Sequence, residues 1–205
     1  MIVGGALSDG GGLYQWLRET LLPDYDSEFI ESELGRLEPD AHGLTILPFW
    51  AGERSVGWNG EARGAILGLS LQTRSIEILR AAMEAIAYRF ALIARALEPL
   101  APRAKIRAAG NALGASPTWV QILADVLGRS VILSETAEAS MRGAALLALK
   151  AAGKIQSIEE ISMPSFSIAA PIFEPVMSRH TIYQAGIERQ QRMYERVIQK
   201  NLTGR

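Results

Sequence analysis

The sequence predicts an α/β fold, a sheet flanked by helices, on three observations. Apolar strand-like runs alternate with helical patterns from Ile106 to Ala152, the alternation that builds such layers. A long periodic helix spans Ile76 to Leu97, and two glycine clusters each lead directly into a helix. In chain order, Gly10-Gly11-Gly12 opens a short helix from Leu13 to Leu22, stopped by Pro23, which cannot continue it. The polar, acidic stretch Asp24 to Asp40 reads as helix plus loop, and Gly43-Leu-Thr-Ile-Leu-Pro-Phe49 as a buried strand. Trp50 to Gly64 is rich in Gly, Trp and charge without periodicity, a long loop of the kind that is usually functional. Ile76, Leu79, Met83, Ile86, Phe90, Ile93 and Leu97 then recur in steps of three and four until Pro99, which makes an amphipathic helix. That spacing fits a core-facing helix or a coiled coil. Strand Ile106 to Ala109, helix Pro117 to Leu127, strand Val131 to Leu133 and helix Ala139 to Ala152 follow. After Gly153 come Pro164, Pro171 and Pro175 in an irregular stretch, and a highly charged helix from about Ser178 to Gln199 closes the chain.

The junction from Arg107 to Gly128 carries the most chemistry. Gly110 and Gly114 permit positive φ and lack the Cβ that would hold a ligand away. Ser116 is the natural N-cap and Pro117 the first helical residue. Free amide N–H groups and the positive end of a helix dipole favour an anion or a polar ring edge by roughly 0.3–1 kcal/mol per charge. The junction is therefore either a nucleotide-binding turn or an ordinary strand-to-helix connection. Neither G-x-G-x-x-G nor G-x-x-x-x-G-K-[ST] occurs in the chain.

Composition narrows the function classes. The 205 residues are 48% hydrophobic and 21% charged, enough to bury a core. A net charge of −1 offers no reason to expect nucleic acid or an anionic membrane as partner. With no cysteine, disulfides and thiolate chemistry are excluded. No apolar run reaches the roughly 20 residues of a membrane span, and Met1-Ile-Val-Gly-Gly lacks the features of a leader, so a cytoplasmic protein is expected. His42 and His180 lie far apart, each without a second ligand at helical or hairpin spacing, and no metal site is expected. Glu53, Glu77 and Glu84 are the carboxylates with small or apolar neighbours, and capping or ion pairing suits them better than catalysis. No serine sits in a G-x-S-x-G elbow. The residues offer two glycine-rich helix starts and no catalytic base, which reads as part of a nucleotide site.

Gly64-Ala-Ile-Leu-Gly-Leu69 with Glu77-Ile-Leu-Arg-Ala-Ala-Met-Glu84 resembles the C-terminal signature of the FGGY family of carbohydrate kinases. Leu47-Pro-Phe-Trp-Ala-Gly-Glu-Arg-Ser55, Trp58, Ala62-Arg-Gly64, Gly110, Ser116-Pro117, Trp119, Gln121-Ile122, Ala124-Asp125, Leu127-Gly128 and Gly143-Ala-Ala145 also fall where that family has them, with wording closest to its gluconate and xylulose kinase branches. The resemblance implies a ribonuclease H-like, actin-like ATPase domain with a mixed sheet flanked by helices, one of two such domains that enclose ATP. This chain is similar to the C-terminal one, with a core over about 1–155 and an extension over about 156–205 that ends in the charged helix. It further implies that the Gly110-Asn111 turn packs on adenine, that Ser116 bonds the ring edge, and that Gly11 and Gln15 lie near the phosphates and ribose. Mg²⁺ would accompany ATP in the complete enzyme. Two departures stand out: Asn111 replaces a second glycine and Val56 a proline. The family's N-terminal domain, with its Asp-x-Gly-Thr phosphate loop, sugar site and base aspartate, is expected to lie outside these residues. The expectation is thus the ATP-binding half of a kinase for a sugar or sugar acid, inactive alone and binding sugar only with an N-terminal domain. A homodimer paired through the Trp50 to Trp58 face is expected as well. The alternative is a non-catalytic interaction or regulatory module on the same fold.

Overall fold

The computed structural model describes residues 3–134, 139–158, 161 and 170–199. Helix α1 spans Gly11–Leu21 and buries Leu13 and Leu17. The acidic stretch folds into α2, Ser27–Arg36, capped by the Asp26 carboxylate, which accepts the Phe29 N–H at 2.8 Å. Its Ile30 and Leu34, four apart, face inward. Strand β1, Thr45–Leu47, is buried throughout and pairs antiparallel with β2, Ala65–Leu67, in the register Ile46↔Ile66. The sequence pattern did not announce β2, since three residues are too few to show alternation.

Helix α3, Ser75–Leu97, starts where the Glu77 carboxylate accepts the Arg74 backbone N–H at 2.8 Å. It is a central helix more than an amphipathic one: Leu79, Met83 and Ile86 are buried on one side, and Ala81, Ala82, Ala85 and Ala87 let neighbours close over the others. Each of the large side chains contributes roughly 1.5–3 kcal/mol by leaving water. Packed against α1, α2 and β1, α3 is core-facing rather than one strand of a coiled coil.

The second sheet follows. Strand β3, Ile106–Ala108, leads through a single helical turn, α4, Asn111–Gly114, into α5, Pro117–Leu127. Strand β4, Val131–Leu133, lies parallel to β3, and α6, Ala139–Ala151, comes next. Strand β5, Ile172–Phe173, joins β4 antiparallel and gives the sheet order β3-β4-β5. The mixed sheet with helices around it is the architecture expected. β5 was not, because a two-residue strand among prolines has no pattern; Pro164 lies outside the described residues. Helix α7, Met177–Tyr194, runs into a π-helical turn at Glu195–Gln199. The charged helix is no outlying appendage: Tyr183 and Ile187 are fully buried in the main core beside α3 and α5.

Candidate functional site

The two glycine-to-helix junctions meet. Gly110 takes φ 121° and ψ 151°, a region open essentially to glycine, and this turns the chain from β3 into α4. Gly114 does not share the role expected of it: it closes α4 in helical conformation, with its N–H on the Gly110 carbonyl at 2.9 Å. Opposite stands the start of α1, so close that a Cβ on Gly11 would lie 3.1 Å from that of Ala112. Between them opens a slot of about 280 Å³, walled by Gly10, Gly11 and the turn from Ala109 to Leu113, with Ile86, Phe90, Trp119 and Leu123 completing it. The Trp119 ring is fixed by stacking on Tyr14, centroids 5.2 Å apart, and by donation of its indole N–H to the Met83 carbonyl at 3.1 Å. A largely apolar cavity walled by Trp119 and Phe90, with backbone and the Asn111 amide among its lining, suits a heteroaromatic ring.

Of the residues singled out from sequence, Gly11, Gly110 and Asn111 line this slot. Gln15 stands a turn further along α1, where its amide donates to Glu19, and it is not part of the wall. Ser116 caps α5 as expected, its hydroxyl oxygen accepting the Trp119 N–H at 3.2 Å, but it is fully buried and donates to Glu31 at 2.7 Å. Glu31 also accepts the Thr118 N–H at 2.7 Å. The anion that the start of α5 attracts is therefore the chain's own carboxylate, supplied by α2. No local signal could have found it, since the partners are 85 residues apart.

Buried carboxylates organise the surroundings. Asp9, beside Gly10, accepts the Ala51 N–H at 3.0 Å and so ties the first junction to the long loop; burial pushes its carboxyl above the ordinary value. Glu84 is wholly buried and accepts from Arg80 at 2.7 Å, His42 at 3.0 Å, Tyr183 at 3.1 Å and Tyr88 at 3.4 Å. Burial pushes its carboxyl up, yet the hydrogen bonds from His42 and Arg80 and the charge of Arg80 prevail and hold it below the ordinary value. Desolvation beside Glu84 in turn raises Tyr183 and Tyr88, which stay protonated donors.

Asp40, His42 and Glu84 offer ligand atoms within 4.8 Å of one another. Their donors are nevertheless already in use. His42 Nδ1 accepts the Leu44 N–H at 2.9 Å, which assigns the ring proton to Nε2 and aims it at Glu84. Arg189 holds Asp40, with one contact at 2.9 Å. The group is an ion-paired brace between α3, α7 and the approach to β1, the role the sequence suggested for Glu84. No helix among the described residues is long and apolar enough to cross a membrane.

Residues 1–152 match the C-terminal domain of the FGGY family of carbohydrate kinases. The chain is 32% identical over 177 residues to a gluconokinase of Bacillus licheniformis, covering 78% of this chain and 34% of that protein. It is 36% identical over 194 residues to a glycerol kinase of Aromatoleum aromaticum, covering 94% and 38%. The fold superposes on the crystal structure of a ligand-bound xylulose kinase from Lactobacillus acidophilus with a TM-score of 0.72 at 25% identity, over 94% of this chain and 39% of that one. The chain thus spans about a third of the length of the curated relatives it matches.

Proposed function

The chain belongs to the FGGY family of carbohydrate kinases, to whose C-terminal domain it corresponds, and from that premise we propose that it supplies the nucleotide side of an ATP-dependent phosphoryl transfer to a hydroxyl of a sugar or sugar acid. The observation that carries this reading is the slot where two glycine-to-helix junctions face each other. Adenine lies in it against Trp119, Leu123 and the Gly110-Asn111 turn. Gly11 lets the ribose and phosphates leave over the start of α1, where Gln15 stands ready beside them, and Ser116 sets the start of α5. One relative, a glycerol kinase of Plasmodium falciparum, is described with ADP. Mg²⁺ accompanies the phosphates, and the acceptor hydroxyl and its base come from the family's other domain. Phosphoryl transfer is positioning and charge stabilisation from both walls of a cleft. Family membership and a formed slot favour this reading over a non-catalytic module. ADP-dependent thermal stabilisation of the chain tests it: a melting temperature that rises with ADP supports the assignment, and one indifferent to ADP up to about ten times a millimolar dissociation constant opposes it.

A further inference from the structure

The loop between β1 and β2 is irregular but closely bonded, and its bonds converge on one carboxylate. Glu53, 3% exposed, accepts from the Arg89 guanidinium, from the Gly57 N–H at 3.1 Å and from the Tyr194 hydroxyl at 2.6 Å. The Arg89 guanidinium lies over the edge-to-face pair of Phe49 and Tyr194, 5.2 and 5.3 Å from their centroids. Gly57 is required here, because a Cβ would overlap both the Tyr194 hydroxyl and the Glu53 carboxylate. Further bonds close the loop: Glu53 N–H to the Asn59 carbonyl at 2.9 Å and Ser55 N–H to the Ala6 carbonyl at 2.8 Å. The result displays Arg54, Val56 and Trp58 to solvent, Trp58 with a left-handed φ of 55° and 66% exposed. Tyr194 belongs to the end of α7, beyond residue 152 where the family match stops.

We propose that Tyr194 is a positioning residue, the latch by which the C-terminal helix holds Glu53 and so fixes the conformation in which the loop presents Arg54 to Trp58. Its bearing on catalysis rests on the nucleotide reading above, since Asp9 ties this loop to the start of α1; the latch itself can be tested in the 205-residue chain. Tyr194 is suited to the task because its hydroxyl meets the same carboxylate that holds Gly57. Loss of that single oxygen leaves the ring stacked over Arg89 while freeing one side of Glu53. The effect is therefore local to the loop.

Tyr194→Phe is compared with the wild type by hydrogen–deuterium exchange and by limited trypsin digestion, with Met193→Ala as a packing control from the same helix. Expected for Tyr194→Phe is about tenfold faster exchange in the peptide covering residues 53–59 and about tenfold faster cleavage after Arg54. Exchange in α3 and cleavage after Arg103, an exposed site outside the latch, stay unchanged. Met193→Ala lowers the melting temperature without that selective opening. Unchanged exchange at 53–59 in Tyr194→Phe, or equal opening in Met193→Ala, overturns the proposal. ADP stabilisation is recorded on the same samples and persists in Tyr194→Phe. Its loss in the wild type would defeat the nucleotide reading alone and leave the exchange result to decide the latch.

Discussion

Gly11→Ala is the sharpest perturbation of the slot. The added methyl carbon lies 3.1 Å from the Ala112 Cβ, so the start of α1 and the α4 turn, which both line the slot, must part by a few tenths of an ångström. Overpacking of this kind costs about 1–3 kcal/mol, while replacing glycine in a helix returns up to about 1 kcal/mol. Because the displacement is only a few tenths of an ångström, the low end of the overpacking range applies and net stability should fall by about 1 kcal/mol or less. Binding is another matter. At about 280 Å³ the cavity holds the base and little more. Ten or so atoms at about 0.3 kcal/mol each give roughly −3 to −4 kcal/mol, a dissociation constant on the order of 1 mM. At about 10 mM ADP, mass action stabilises the wild type by roughly 1.4 kcal/mol, a rise of about 3–5 °C for a chain of this length. In Gly11→Ala that rise should vanish while the ligand-free melting temperature stays within a few degrees. Differential scanning fluorimetry with an ADP titration, repeated by calorimetry, measures both. An ADP response equal in the two proteins would show that the nucleotide lies elsewhere, and the assignment of the slot would fall.

The 205-residue chain should phosphorylate none of gluconate, xylulose or glycerol, because the base is expected from the other domain; turnover near 1–100 s⁻¹ in a coupled assay would place the base among these residues. Glu84→Gln should cost about 3–5 kcal/mol, since it leaves the buried Arg80 guanidinium without its countercharge, and urea unfolding reads the loss; a cost under about 1 kcal/mol would mean the brace is not load-carrying. Because the folded Glu84 carboxyl is held below its unfolded value of about 4.3, its contribution is full above that pH and fades as pH falls through the folded value. Wild type and variant should accordingly converge in acid. Asp9 has the opposite sign, its folded carboxyl lying above the unfolded one, so Asp9→Asn should raise the melting temperature at neutral pH and lose its advantage on acidification. Val56 and Trp58 stand exposed, and a homodimer paired through the Trp50 to Trp58 face should appear in light scattering and weaken in Trp58→Ser; a monodisperse wild-type monomer at high concentration would contradict it.

The sequence by itself determined whatever is written within a turn or two of the chain. Period and caps disclosed α3, α5 and their limits, Ser116-Pro117 marked the start of α5 to the residue, and Gly110 marked the turn out of β3. The signature motifs named the family, which composition could not have done. Tertiary structure decided everything that depends on which distant surfaces meet. Strands as short as β2 and β5 exist only because partners bond them. The sequence showed α7 as a highly charged helix and nothing of its contacts, yet Tyr183, Arg189, Gln190 and Tyr194 all reach polar groups on α3, β1 or the loop. Glu31 fills the helix start that sequence alone left free for a ligand. Gly11 and Gly110 were each legible as a tight turn, but that they form the two walls of one slot follows from the way α1 and α5 pack on α3. The physical reason is one of range: propensity and capping act through neighbouring backbone groups, whereas pairing, burial and charge compensation are settled by whichever side chains the packed core brings within a few ångströms.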